Sequence, residues 1–519
     1  RTSASGSQRS AARFPGAGAP GKAVNLADLI RRIQPLRVAG KTDIPITGLC
    51  HDSREIKPGE LFFALPGSKT DGNRHVKKAL TGGAAAFLSE LDPPPPPIAL
   101  QACWIQVKDA LEAMALMADS FYGQPSQALS VIGVTGTNGK TTTTYFLESI
   151  ISACGGVAAV AGTVDCRLRG ALLQKSPNTT PISLELIKLL ARFRDGGATH
   201  AALEVSSHAL ALKRVETVDF DAAIFTNLSR DHLDFHKTPE AYFLAKARLF
   251  ELLSRVSSSK KNRVAVINAD DARAACLKRR ILGCEILLFG LKNPADLRAE
   301  NIAISLKETT LDLVYKDRRF PVRLSLVGEH NVYNALGAAA ACLGLAMAPD
   351  AVLRGLEALR RVPGRLEAVS EGRNFHVFVD YAHTDSALEA VLGYLKRLPH
   401  HRLVTVVGCG GQRDRGKRGP MGVAACRFSD QVLITSDNPR GEDPLAIIKD
   451  IEDGLKTAGL KNYKIEADRG QAIAQAVSSA QKGDIILIAG KGHEDYQILK
   501  DRTIYFDDRQ AAREAINET

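Results

Sequence analysis

No stretch of about 18 uninterrupted apolar residues occurs in the 519-residue chain, so a membrane-spanning helix is not expected. No apolar h-region near the N-terminus marks secretion either. The nine cysteines include no Cys-x-x-Cys pair, which argues against a zinc knuckle or a disulfide framework and for a reducing cytoplasm. The formal net charge of +11 is not gathered into a basic stripe with interleaved aromatics, so nucleic-acid binding is not expected. An enzyme that handles several polyanions accounts for part of that excess. Residues 1–23 contain no acidic residue and are rich in Arg, Ser, Ala, Gly and Pro, a composition that predicts disorder. The same composition resembles an organelle transit peptide, with a bacterial N-terminal tail as the simpler reading.

What is present points to a globular α/β chain. Hydrophobic residues make up 45% of it, ample for buried cores, and its length suggests about three domains. A small first domain is expected over 24–125, with strand-like Leu61 to Leu65, helix-like Val76 to Gly82, and a stiff extended spacer at Pro93 to Pro97. A central domain over 126–362 has apolar runs at Ala201 to Val205, Ala222 to Phe225 and Val264 to Ile267 alternating with helical segments. That alternation predicts a parallel sheet covered on both faces. A third domain over 363–519 repeats the pattern with Val377 to Val379, Leu403 to Val407, Val432 to Ile434 and Ile485 to Ala489. Ligands of such sheets collect at the carboxyl ends of the strands.

The most informative phrase is Val134-Thr-Gly-Thr-Asn-Gly-Lys-Thr-Thr142. A short β-branched run, Val131 to Val134, leads into it, and Thr143 to Ile151 continues with helical spacing, so the loop lies between a buried strand and a helix N-terminus. Backbone N–H groups and the helix dipole there face an anion. Gly136 and Gly139 let the backbone close on phosphates, with Thr137, Asn138 and Thr142 alongside; Lys140 offers a point charge and Thr141 a hydroxyl for Mg²⁺. Val134 stands where the usual phosphate-loop pattern has its first glycine, so this is a shortened variant. ATP is the expected co-substrate. Strand Ala201 to Val205 runs out through Glu204, and strand Ala222 to Phe225 is followed by Asp231-His232. A carboxylate and an imidazole at the same sheet edge as a phosphate loop make Glu204 and His232 candidate Mg²⁺ ligands. From spacing alone Lys246, in the helical stretch Pro239 to Leu252, is an ordinary helix lysine. Asp380 to Thr384 is a polar loop after a strand, and Ser436 to Pro444 a turn with a solvated arginine.

Five phrases together carry a resemblance: Gly-Thr-Asn-Gly-Lys-Thr-Thr, Asn178-Thr179-Thr180-Pro181, Glu204-Val-Ser-Ser-His, Asp231-His-Leu-Asp-Phe-His and Tyr242-x-x-Ala-Lys-x-x-Leu-Phe. In order and spacing they resemble the Mur ligases of peptidoglycan synthesis, and the resemblance runs from about residue 25 to the C-terminus. It implies a three-domain α/β architecture with a central phosphate-loop ATPase domain and a C-terminal Rossmann-like domain. It implies that Lys246 is carbamylated by CO₂ to an N6-carboxylysine, so that Thr141, Glu204, His232 and the Lys246 carbamate serve Mg²⁺, and that Lys140, Glu204, His232 and Lys246 are catalytic. Asn331, Arg365 and Asp380 are implied at the nucleotide. Ser53, Ser68, Lys69 and Thr70 are implied at the uridine diphosphate, and Asn178, Thr179, Thr180, Ser206 and Arg214 at the muramoyl-dipeptide.

Leu212 departs from relatives that carry glutamine two residues before that arginine. Ser436-Asp437-Asn438-Pro439-Arg440 is similar to the signature of the member that adds meso-diaminopimelate. Arg413, Asp437, Asn438, Pro439, Arg440, Gly490 and Glu494 are thereby implied at that amino acid. An arginine fork is the natural reader of the distal carboxylate that separates diaminopimelate from lysine. The implied reaction joins meso-diaminopimelate to UDP-N-acetylmuramoyl-L-alanyl-D-glutamate through an acyl phosphate, by a cytoplasmic monomer. The alternatives are a lysine-adding or other Mur ligase, a folylpolyglutamate synthase-like ligase, or a nucleotide-binding protein without catalysis.

Overall fold

A computed structural model describes residues 23–67, 71–93, 102–176, 178–370 and 372–518. The expected tail at 1–23 thus lies outside the described residues but for Ala23, as do Ser68, Lys69, Thr70 and Pro94 to Pro97 of the spacer. The described residues gather into two compact units, one drawn from 23–130, 181–201 and 211–219, the other from the remainder.

The first unit holds a five-stranded sheet in the order Arg37–Ala39, Cys103–Gln106, Ala86–Ser89, Glu60–Phe63, Gly48–Cys50. All neighbours are parallel except the Arg37–Ala39 edge strand. Its face is closed by aromatic packing, with the Phe87 ring 6.0 Å from Phe62 and 5.8 Å from Trp104. Such ring pairs add to the area they bury. Helix Ala110–Phe121 starts at Asp109, whose carboxylate accepts from the Glu112 N–H at 2.9 Å and pairs with Lys213 at 2.7 Å. That cap satisfies one of the helix's orphan donors.

In the second unit an 11-stranded sheet carries the phosphate loop. Strand Ser130–Thr135 pairs in parallel with Ala222–Phe225, which pairs in parallel with Val264–Asn268, then Glu285–Gly290. The interiors of the first three are buried on both faces, which is why they read as continuous apolar runs. Helix Lys140–Ala153 contributes Phe146, Leu147 and Ile150 to one face, and the alanine-rich helix Glu329–Gly344 lays Ala338 to Ala341 on the same core. The sheet is not purely parallel. An antiparallel meander, Leu297–Ile304, Thr309–Tyr315 and Arg318–Leu324, extends one edge, and the hairpin Asp165–Leu168 with Ala171–Lys175 ends the other. In Arg318–Leu324 only Phe320, Val322 and Leu324 are buried, the one-sided alternation that lets an antiparallel edge face water.

The C-terminal sheet has the order Glu367–Ala368, His376–Asp380, Ile485–Ala489, Leu403–Val407, Gln431–Ile434, Tyr463–Ile465. All neighbours are parallel but the first pair. Separate apolar clusters cover its two faces, one built on Leu392, Met421 and Ile451, the other on Ile473, Val477 and Ile516. This is a doubly wound sheet, and the loops after Asp380, Val407, Ile434 and Ala489 leave it at the same carboxyl edge.

Candidate active site

The phosphate loop is built from two glycines that no other residue can replace without strain. Gly136 has φ +148° and Gly139 φ +92°, and a Cβ at either would overlap a neighbour, Thr226 Oγ1 in the first case and Asn334 Oδ1 in the second. The loop is fastened to the segment after strand Ala222–Phe225. Thr137 N–H donates to Asn227 O at 2.9 Å, Asn138 N–H to Asn227 Oδ1 at 3.0 Å, and Thr226 Oγ1 to Asn138 O at 2.6 Å. Lys140 Nζ donates to the carbonyls of Gly136 and Thr137, both at 2.9 Å. Burial lowers the pKa of Lys140, opposed by the charges of Glu204 and Asp231. Thr141, at the start of helix Lys140–Ala153, accepts from Arg365 Nη2 at 3.0 Å, so two residues 224 positions apart meet.

Lys246 lies beside this loop. The helix Pro239–Leu253 buries Tyr242, Lys246 and Leu249 on one face, and Lys246 is only 1% exposed. Its Nζ donates to Gly136 O at 2.8 Å and stands 4.4 Å from the centre of the Tyr242 ring. Burial, then the nearby Lys140 charge, pulls its pKa well below the ordinary lysine value. A lysine so placed carries a neutral, nucleophilic amine far more often than a solvated one does. Tyr242 OH shares a hydrogen bond of 3.2 Å with Thr137 Oγ1, tying the same helix to the loop.

Glu204 is 1% exposed at the end of strand His200–Glu204. Its two oxygens accept from Thr163, Oε1 from the backbone N–H and Oε2 from the hydroxyl, both at 2.9 Å. Thr163 Oγ1 lies 3.1 Å from Thr179 Oγ1, while Thr180 Oγ1 donates to Glu204 O at 2.8 Å and accepts from the Ser206 N–H at 3.1 Å. Thr179, Thr180, Glu204 and Ser206 are therefore one hydrogen-bonded group, and Asn178 adjoins it, its carbonyl accepting from Ser176 Oγ at 2.7 Å. His232 adopts φ +54° and sits with Nε2 3.3 Å from Asp231 Oδ2 and its ring 4.8 Å from that of His208. Burial keeps its imidazole neutral against the pull of Asp231, the state in which a ring nitrogen can ligate a metal.

On the nucleotide side, Asp380 works within its own loop. Its Oδ2 accepts from the Leu366 N–H at 2.6 Å and its Oδ1 from the Ala382 N–H at 2.7 Å. It thereby shapes the turn that presents Arg365, whose guanidinium also lies 4.6 Å from the centre of the Tyr381 ring. Asn331 donates to Val327 O at 2.8 Å and accepts from Asn334 Nδ2 at 3.1 Å. Asn334, Thr163 and the Thr226-Asn227 pair take part without having been expected at the site. Asn334 lies in helix Glu329–Gly344 one turn beyond Asn331, while Thr163 follows strand Ala158–Ala161 and Thr226-Asn227 follows strand Ala222–Phe225, where the carboxyl-edge rule directs attention.

The second cluster lies at the carboxyl edge of the C-terminal sheet. Arg440 adopts φ +53°, and its Nη1 donates to Gly411 O at 2.9 Å and Asn438 O at 3.4 Å. A Cβ on Gly410 would lie 2.8 Å from Arg440 Nη1 and 3.7 Å from Arg413 Cγ, so both arginines border the same glycine. Burial, then the Arg413 charge, lowers the Arg440 pKa, and neither arginine pairs with a carboxylate among the described residues. Across from them, Asn438 Nδ2 donates to Glu494 Oε2 at 2.8 Å and Asn438 Oδ1 accepts from the Ile498 N–H at 2.9 Å. Gly490 has φ +114° and backs onto Asp437, whose Oδ2 a Cβ would meet at 2.8 Å. Pro439 closes the turn, with the Glu442 N–H on its carbonyl at 3.0 Å.

Ser53 and Arg214 belong to the first unit. Ser53 is 9% exposed beside Asp52, which binds Arg54 at 2.5 Å, and burial lowers the Arg214 pKa.

Comparison with known proteins bears on the family and the fold. Residues 134–342 match the Mur ligase middle domain, 364–492 the Mur ligase glutamate ligase domain, and 45–122 the Mur ligase family catalytic domain. A UDP-N-acetylmuramoyl-L-alanyl-D-glutamate--2,6-diaminopimelate ligase of Solibacter usitatus is 48% identical over 91% of this chain and 93% of its own length. The chain belongs to the Mur ligase family. The Geobacter sulfurreducens protein of the same name is 44% identical to this Mur ligase over 94% of the chain and 98% of the relative. A solved structure of a ligase of that name superposes with TM-score 0.66 at 35% identity, covering 96% of this chain and 99% of the other. MurF of Thermotoga maritima with ADP, at 20% identity and TM-score 0.61 over 91% and 96% of the two chains, shares the fold. Among the described residues of this Mur ligase, no helix is long and apolar enough to cross a membrane.

Proposed function

We propose that this Mur ligase joins meso-2,6-diaminopimelate to the D-glutamate of UDP-N-acetylmuramoyl-L-alanyl-D-glutamate at the expense of ATP, a cytoplasmic step of peptidoglycan precursor synthesis. The observation that carries the reading is the C-terminal cluster. Arg413 and Arg440 border Gly410 without a carboxylate partner among the described residues, and Asp437 and Glu494 stand at the same edge. A zwitterion with one additional carboxylate satisfies both halves. Lysine has no group for the arginine pair, and a like-charged pair left without an anion is unfavourable. The relatives of that name support the same substrate.

In this reading 24–125 holds the uridine diphosphate, 126–362 holds ATP and 363–519 holds the amino acid. The dipeptide's terminal carboxylate attacks the γ-phosphorus of ATP, ADP leaves, and the diaminopimelate amine displaces phosphate from the acyl phosphate to form the amide. Loop N–H groups and Lys140 hold the outer phosphates, so the chain contributes positioning and fixed charge. The neutral Lys246 amine adds to CO₂ and releases a proton, turning an uncharged amine into an anionic, carboxylate-like carbamate. Thr141, Glu204, His232 and that carbamate are the residues that would hold Mg²⁺. No three His, Cys, Asp or Glu side chains among the described residues gather into a protein-only cage. That donor set suits Mg²⁺, which takes one or two carboxylates together with phosphate oxygens and water. When bound, the ion neutralises charge on the phosphates. Arg365, two residues before strand Glu367–Ala368, donates to Thr141, and in this reading its charge adds to that of Lys140 beside the phosphates.

ADP release from the purified chain should require the UDP-muramoyl-dipeptide and diaminopimelate together. Steady ATP hydrolysis at the full rate without the sugar nucleotide would contradict a ligase.

A further inference from the structure

Beneath the amino-acid cluster lies an ion pair that none of the chemistry above uses. Arg469, the first residue of helix Arg469–Ser478, and Asp508, the first residue of helix Asp508–Glu518, have fully buried side chains. They meet in a two-pronged contact, Nε to Oδ1 and Nη2 to Oδ2, both at 2.7 Å. The guanidinium has further work. Its Nη2 donates to Ala489 O at 2.9 Å and its Nη1 reaches Ser436 O at 3.4 Å. Ala489 precedes Gly490, and Ser436 precedes Asp437. One buried fork therefore binds the last carbonyls before both loops that form the pocket, and Asp508 fixes the direction of the fork.

We propose that Arg469, oriented by Asp508, is a positioning residue for the amino-acid site: it sets the spacing between the Gly490–Glu494 loop and the Asp437–Arg440 loop. Three observations support this. The donors go to the last residue of strand Ile485–Ala489 and to the loop two residues beyond strand Gln431–Ile434, so the fork ties together the exits of two strands that are not neighbours in the sheet. A Cβ on Gly490 would lie 2.8 Å from Asp437 Oδ2, so the two loops already touch and a small shift is felt. Burial opposes the Arg469 charge, but Asp508, Asp437 and Glu494 outweigh it and raise the Arg469 pKa, so the fork stays charged beneath the pocket. A buried pair of this kind is weak evidence for stability, because apolar replacements of similar volume often fold as well. Its geometry is better explained by what the fork holds.

The inference rests on the amino-acid reading of the cluster, and the test separates the two. KM is measured for the amino acid, for ATP and for the UDP-muramoyl-dipeptide in wild type, the double variant Arg469→Met/Asp508→Leu, and Arg469→Lys, each well below its own Tm. If wild type turns over a different amino acid, the substrate reading fails, and the positioning test proceeds with that amino acid. In the double variant the amino-acid KM should rise about 10- to 100-fold, the scale of an ångström-sized misplacement, with the KM of ATP and of the sugar nucleotide unchanged. Arg469→Lys, which keeps the charge but loses the fork, should show an intermediate rise. Should the double variant not fold, Asp508→Asn, which keeps one acceptor for the fork, carries the same comparison. Variants that lose Tm but keep the wild-type amino-acid KM, or in which all three KM values rise together, would overturn the proposal.

Discussion

Replacing Arg440 with alanine tests the amino-acid pocket most sharply. In the folded chain its Nη1 is anchored on Gly411 O and Asn438 O, and Arg413 is the charge nearest in sign and place that disfavours its ionised form. A substrate carboxylate entering there meets a fork that is already held, so little ordering entropy remains to be lost. Truncating one side of such a desolvated charge pair costs about 2–5 kcal/mol. Part of that cost is offset because Arg413 remains and is relieved of its like-charged neighbour, which places the net loss at about 2–3 kcal/mol. This corresponds to a fall of about 30- to 150-fold in kcat/KM for diaminopimelate. L-lysine should gain nothing comparable, since the variant removes a charge without adding a contact for lysine. The assay compares kcat/KM for meso-diaminopimelate and L-lysine in wild type and Arg440→Ala, with ATP and sugar nucleotide saturating. A variant that retains the full preference for diaminopimelate would refute the reasoning, because the arginine would then not be reading the distal carboxylate.

Lys246→Ala should fold with near wild-type Tm yet lose almost all turnover, with partial return on adding a small carboxylic acid that can occupy the vacated anionic position; a fully active variant would remove the carbamate from the mechanism. Gly139→Ala forces a Cβ onto Asn334 Oδ1 at φ +92°, a strain of about 1–3 kcal/mol, and should raise the KM of ATP while leaving the KM of the amino acid alone. Burial lowers His236, His330 and His383 to about 4 and His493 to about 3. Below the ordinary histidine value of 6.5 the unfolded chain therefore takes up protons that the folded chain refuses. Their contribution to stability is complete above that pH and is lost as pH falls toward 4. Asp119, raised by burial to about 6, works in the opposite direction over part of that window. Burial also raises Asp271, Asp380 and Glu494, while it lowers His200, His232 and His376 as well; the histidines are the larger group, so Tm should fall between pH 7.5 and pH 5, and a rise would show that these imidazoles are solvated.

Strands buried on both faces were legible in the sequence because nothing interrupts their apolar runs. Ile485–Ala489 and Leu403–Val407 appear where they were expected. The antiparallel strand Arg318–Leu324 was not legible, since three arginines and a proline share its seven residues and its buried side chains come only at alternate positions. At the site, the phosphate loop could be read from chemistry alone. Lys246 could not, because its distinction is a tertiary one: burial against Gly136 O and the Lys140 charge, both contributed by segments more than 100 residues away. The resemblance supplied it. Thr163 belongs to no phrase with a chemical reading, and only the fold brings it onto both oxygens of Glu204. The role of Asp380 within its own turn was likewise invisible, since a carboxylate that accepts two backbone N–H groups is spelled like one that awaits a ligand.

The central claim is tested most directly by offering the purified chain UDP-N-acetylmuramoyl-L-alanyl-D-glutamate, ATP, Mg²⁺ and bicarbonate with equimolar meso-diaminopimelate, L-lysine and D-alanyl-D-alanine in one vessel, and weighing the product by mass spectrometry. The account predicts a single new nucleotide-linked tripeptide whose added mass is that of diaminopimelate less water, with one ADP formed per product. A product carrying lysine, or ADP formed without any product, would contradict it.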